Sequence, residues 1–131
     1  MPIHVLMVDD DPELCEEVMG ALECTGYKVS CVHRGEEAIQ AISKEDFDIV
    51  LMDLKMPGMG GLEAFEGIKK IKPLLPIIMV TGALPSEVVE KFRKTDFAAV
   101  IYKPFDIEKL VEGIENLAGG EKNSEGSKAS G

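Results

Sequence analysis

Five short apolar runs, Ile3 to Val8, Val29 to Val32, Ile49 to Met52, Ile77 to Val80 and Ala98 to Tyr102, alternate along the chain with longer segments of helical periodicity. Runs this short and this rich in Val and Ile read as strands. Between them, apolar residues recur three and four apart. Leu14, Val18 and Leu22 follow Asp11 as N-cap and Pro12 at the first helical position, and Gly26 closes that segment. Ala38, Ile39 and Ile42 mark a second helix, Leu62, Phe65, Ile68 and Ile71 a third, and Val88, Val89 and Phe92 a fourth. Ile107, Leu110, Val111, Ile114 and Leu117 form the clearest amphipathic stripe. The order is (βα)5, which predicts an α/β fold: a doubly wound, five-stranded parallel sheet with right-handed crossovers and helices on both faces. Leu6-Met7-Val8, Ile49-Val50-Leu51-Met52 and Ile77-Ile78-Met79-Val80 lack alternation, as strands covered on both sides do, whereas Lys28 to Val32 mixes polar with apolar. The second strand is therefore an edge, in keeping with the strand order 2-1-3-4-5.

A chain of 131 residues buries roughly two thirds of its unfolded surface, enough for an ordinary core without staples. Cys15, Cys24 and Cys31 are odd in number, lack a CxxC pair and fall in apolar segments, so they read as reduced core residues of a cytoplasmic protein. The start, Met1-Pro2-Ile3-His4, has no basic stretch ahead of an apolar one, and no run approaches the ~20 apolar residues that cross a bilayer, so neither secretion nor membrane insertion is expected. With 14 Lys and Arg against 24 Asp and Glu, the net charge of -10 disfavours direct nucleic-acid binding and favours cations and basic patches as partners. Residues 119–131 are Gly- and Ser-rich and read as a flexible tail after a single domain spanning 1–118.

In open parallel sheets, ligands bind in the crevice outside the carboxyl ends of the strands. The first strand is followed there by Asp9, Asp10 and Asp11, the third by Asp53, the fourth by Thr81 and the fifth by Lys103. Each has an ordinary reading alone: Asp11 as a helix cap, Asp53 as a loop carboxylate, Thr81 as a turn residue, Lys103 as a solvated charge, and Asp9 and Asp10 as caps as readily as ligands. Their convergence on one rim is what those readings leave unexplained. Carboxylates gathered in a partly dry crevice repel one another unless a cation or protons compensate. Mg2+ suits such a site, because it takes oxygen ligands and keeps waters that a phosphate oxygen can replace. The Thr81 hydroxyl and Lys103 ammonium would suit the remaining phosphate oxygens.

Four motifs then carry a resemblance. Asp9-Asp10, Asp53-Leu54-Lys55-Met56-Pro57-Gly58, Thr81-Gly82-Ala83 and Lys103-Pro104-Phe105, in this order and at these intervals, make residues 3 to 118 resemble the CheY-like receiver domain of two-component response regulators, whose strand order flavodoxin shares. The resemblance implies that Asp53 is the nucleophile phosphorylated by a sensor histidine kinase. It implies Mg2+ as cofactor, ligated by Asp10, Asp53 and the backbone carbonyl of Lys55, with Asp9 acting through a water. Lys103 would pair with phosphoryl oxygens, with its bond to Pro104 in the cis form, and the domain would catalyse its own phosphorylation and dephosphorylation without being a turnover enzyme. Thr81 would move toward the phosphoryl group and re-aim the face built from the fourth helix, fifth strand and fifth helix, the face through which a homodimer could also form. The chain departs from the family at Val100, where an aromatic switch residue is usual; Tyr102, on the same strand face, could substitute.

The length leaves room for a receiver and a tail, so output is expected through a downstream effector protein or an output domain missing from this chain. The alternative to a phosphoacceptor is a receiver-fold binding module that works without phosphorylation, an option that Val100 keeps open. An aspartate-nucleophile phosphatase wants a second acid two residues after the nucleophile, where this chain has Lys55. A flavodoxin is opposed by the acidic loop, which would repel a flavin phosphate, and no GxxxxGK[ST] loop exists for a nucleotide.

Overall fold

The computed structural model describes residues 2–56, 58–82 and 84–118. The expected tail, 119–131, and the motif residues Pro57 and Ala83 lie outside them. The elements run β1 (His4–Val8), α1 (Pro12–Cys24), β2 (Lys28–Val32), α2 (Gly35–Lys44), β3 (Ile49–Asp53), α3 (Gly61–Ile71), β4 (Ile77–Thr81), α4 (Ser86–Arg93), β5 (Ala98–Tyr102) and α5 (Ile107–Leu117). All four strand pairings are parallel, in the order β2-β1-β3-β4-β5. The expected architecture is therefore the one formed.

Capping follows the local signals. The Asp11 carboxylate accepts from the N–H groups of Glu13 and Leu14 at the start of α1, and Asp106 does the same for Lys109 at the start of α5. Gly26 takes φ 98° just past α1, the left-handed conformation that a helix exit favours. Because side chains alternate along a strand, each central strand feeds two cores. Leu6, Val8, Val50, Met52, Ile77 and Met79 pack with α2, α3 and α4, while Val5, Met7, Ile49, Leu51, Ile78 and Val80 pack with α1 and α5. At the end of the sheet where the strands begin, Lys69 of α3 donates to the carbonyls of Pro73, Leu75, Asp96 and Phe97, tying two loops together.

Two expectations shift. β3 and β4 run one residue further than their apolar runs, so Asp53 and Thr81 are the last residues of strands, paired with Val80 and Tyr102. The ladder continues because backbone pairing is indifferent to the polarity of the side chain. The cysteines are free, as expected, but only Cys15 is buried; Cys31 is half-buried and Cys24 is exposed, not a core residue. Cys15, Val18 and Leu22 share the buried stripe of α1, and Cys24, two residues past Leu22, falls on the other side of the helix.

Candidate functional site

The ends of β1, β3, β4 and β5 bring the residues expected from sequence to one rim. Carboxylate oxygens of Asp9, Asp10 and Asp53 all lie within 4.8 Å of one another. Asp9 is 1% exposed and Asp53 8%, whereas Asp10 is open to solvent. The Lys103 ammonium reaches in from the end of β5, 3.4 Å from Oδ2 of Asp9 and 3.7 Å from Oδ2 of Asp53. Its backbone N–H donates to the Thr81 carbonyl at 2.7 Å, which joins the ends of β4 and β5, and its peptide bond to Pro104 is cis. Thr81 is itself buried at the rim.

The acidic side chains are held by the loops they introduce. Oδ1 of Asp9 accepts from the Asp11 N–H at 3.0 Å, the tight turn that launches α1. Oδ1 of Asp53 accepts from the Lys55 N–H at 3.4 Å, so the Lys55 backbone lies against the carboxylate. Burial, and next the charge of Asp9, push the Asp53 carboxyl above its ordinary range; Lys103 and the Lys55 N–H pull against that shift, and Asp10 adds to it.

With all three carboxylates ionised, one ammonium leaves two negative charges uncompensated at the rim. The donors are all oxygen and one carboxylate faces water. A hard divalent cation of the Mg2+ type fits that charge and donor set.

Two residues outside the four motifs shape this site. Gly61, the first residue of α3, packs so closely under β3 that a Cβ there would lie 2.3 Å from the Asp53 carbonyl oxygen and 2.6 Å from the Leu54 Cα. His33 places Nδ1 at 2.9 Å from the Asp9 carbonyl oxygen. It is the first residue past the carboxyl end of β2, so the strand-end rule that locates Asp9 and Lys103 extends to it. The expected switch positions divide: Val100 is half-buried against the core under α2, α3 and α4, while Tyr102, two residues on, is 50% exposed.

The family profile for the response regulator receiver domain matches residues 5–115. The chain belongs to this family. Receivers are the phosphoacceptor modules of two-component signalling. This receiver is 32% identical over 117 residues to the transcriptional regulatory protein GlrR of Escherichia coli K12, covering 88% of the chain and 26% of that protein. It spans about a quarter of the length of such regulators. A CheY-like receiver domain protein from Methanospirillum hungatei JF-1 superposes with a TM-score of 0.86 at 33% identity, covering 94% of this chain and 99% of that one. The response regulator TrrA of Thermotoga maritima, solved in complex with Mg2+ and BeF, superposes with a TM-score of 0.78 at 30% identity, over 88% and 98% of the two chains. Among the described residues no helix is long and apolar enough to cross a membrane.

Proposed function

We propose that this receiver takes a phosphoryl group from a phosphohistidine of a sensor histidine kinase onto Asp53, and that the resulting aspartyl phosphate resets a protein-interaction face. The observation that carries this reading is the placement of the Asp53 carboxylate within 4.8 Å of Asp9 and Asp10 oxygens and 3.7 Å from the Lys103 ammonium. An Asp53 oxygen forms a bond to phosphorus as the phosphorus–nitrogen bond of the donor breaks, and the electron pair leaves with the imidazole. In the reverse half of the cycle water attacks phosphorus, inorganic phosphate departs and the carboxylate returns.

Positioning and charge stabilisation account for most of the catalysis, since phosphoryl transfer leaves little covalent work to a protein. Asp10, Asp53 and the Lys55 carbonyl would hold Mg2+, with Asp9 acting through water, and the bound ion supplies positive charge beside the transferred phosphoryl oxygens. Lys103 pairs with another of those oxygens. Thr81 turns its hydroxyl toward the phosphoryl group, and the shift passes along β4 to its neighbour β5 and the α4–β5–α5 face. Tyr102, half-exposed on that face, takes the place of the aromatic residue that Val100 lacks. The partners are the kinase and an effector protein or output domain, with a homodimer through the same face as one form of output; the three free thiols support a cytoplasmic setting.

The reading is tested by incubating the protein with acetyl phosphate and following its intact mass. The expected result is one added phosphoryl group with Mg2+ and none when EDTA removes it. An unmodified mass with Mg2+ present contradicts the reading and favours the binding module that works without phosphorylation.

A further inference from the structure

Asp9 is gripped through its backbone as well as through its carboxylate. Its N–H donates to the Val32 carbonyl at 3.2 Å, and its own carbonyl oxygen lies 2.9 Å from Nδ1 of His33 and 3.5 Å from Sγ of Cys15. A carbonyl oxygen only accepts, so Nδ1 of His33 carries the proton in this contact. The backbone of His33 is anchored in turn, because its N–H donates to Oε1 of Glu37 at 3.0 Å in the first turn of α2. The end of the edge strand β2 thus braces the loop that carries Asp9 and Asp10.

Such a brace has a specific use at this site. Three carboxylates within 4.8 Å repel one another, and a loop able to relax would spread them apart. Each cation bound would then have to draw them together again, at a cost to affinity that a preformed arrangement avoids. The Lys103 ammonium opposes the spreading from the β5 side, and the β2 end opposes it from the other.

We infer that His33 is a positioning residue: its Nδ1–H hydrogen bond to the Asp9 carbonyl holds the acidic loop in the arrangement that binds a divalent cation, and so strengthens Mg2+ binding. This rests on the reading that Asp9, Asp10 and Asp53 form the Mg2+ site. His33 acts through the Asp9 peptide and is not itself a ligand, in the way that groups behind a metal site commonly tune its affinity.

The test uses the whole chain and NMR, first without metal and then with Mg2+ added. In the metal-free protein at mildly alkaline pH, the ring nitrogens of His33 are expected to show the Nδ1–H tautomer. His33→Ala is expected to weaken Mg2+ binding roughly three- to tenfold, as loss of one hydrogen bond implies. His33→Asn, whose side-chain amide can donate from the place of Nδ1, is expected to bind within about twofold of wild type. An Nε2–H tautomer, unchanged binding in His33→Ala, or equal weakening in His33→Asn overturns the inference and leaves the Mg2+ site standing. A wild type that binds no Mg2+ overturns both, and the tautomer, read without metal, shows whether the brace itself exists.

Discussion

Asp53→Asn is expected to take up no phosphoryl group from acetyl phosphate, while remaining folded and melting above wild type when no divalent cation is present. The loss follows because an amide oxygen is too poor a nucleophile to form the acyl phosphate. The gain in stability follows from the raised position of the Asp53 carboxyl. A carboxyl whose folded value lies above its unfolded one adds stability that is complete below the unfolded value and lost as pH rises through the folded one. Above its folded value the wild type has lost that contribution, whereas asparagine does not titrate. The difference in melting temperature should therefore shrink as pH falls below the ordinary carboxylate range. Mg2+ should reverse the order: a hundredfold excess over Kd stabilises a binding protein by about 2.7 kcal/mol, and the variant, lacking one carboxylate, gains less. Thermal melts at several pH values with and without Mg2+ check both parts, and a variant less stable than metal-free wild type at neutral pH would contradict the electrostatic account of the site.

Gly61→Ala is expected to be the most damaging single methyl group that can be added near the site. Its Cβ would meet the Asp53 carbonyl oxygen at 2.3 Å, the Leu54 Cα at 2.6 Å and the Leu54 carbonyl oxygen at 2.9 Å, all backbone atoms with no rotamer to retreat to. Forced overpacking of this kind costs about 1–3 kcal/mol, and each kcal/mol lowers the melting temperature of a domain of this size by roughly 4 °C. The strain falls on the peptide that carries the nucleophile. Since α3 can relieve it only by moving away, the loop that brings the Lys55 N–H to Asp53 moves as well, and phosphorylation should slow by ten- to a hundredfold on the order expected for misplacement of a reacting group by about 1 Å. Gly60→Ala is the matched control: its Cβ would meet only the Leu54 carbonyl oxygen, at 4.0 Å, and both rate and stability should stay near wild type. Equal effects of the two substitutions would contradict the packing argument. Melting temperature and the rate of acetyl phosphate uptake, measured side by side, decide it.

Much of this molecule is legible from sequence because its elements announce themselves by period. Asp11 with Pro12 before the Leu14, Val18, Leu22 stripe starts a helix by capping chemistry alone, and Gly26 ends it. The rule that strand ends form the crevice then places Asp9, Asp53, Thr81 and Lys103 together without any structure. Period does not show contact between elements distant in the chain. Cys24 is a residue type common in cores, yet it stands between Glu23 and Thr25 at the end of α1, where helical geometry turns it to solvent. His33 carries no motif, and its reach to the Asp9 carbonyl depends on the parallel register that sets Val32 beside Val8. Gly61 reads as one more glycine in a loop; the need for it lies in the distance between α3 and β3, which no local signal encodes. Val100 and Tyr102 show the same limit, since strand alternation puts them on one face while the end of the sheet decides that one is half-buried and the other exposed.

The most direct measurement of the central claim is to locate the phosphoryl group. After treatment with acetyl phosphate and Mg2+, borohydride reduction converts an acyl phosphate on aspartate to homoserine, which survives digestion and can be placed by tandem mass spectrometry. The account predicts homoserine at position 53 and nowhere else. Homoserine at position 9 or 10, or a phosphoryl group carried by His4 or His33, would contradict it.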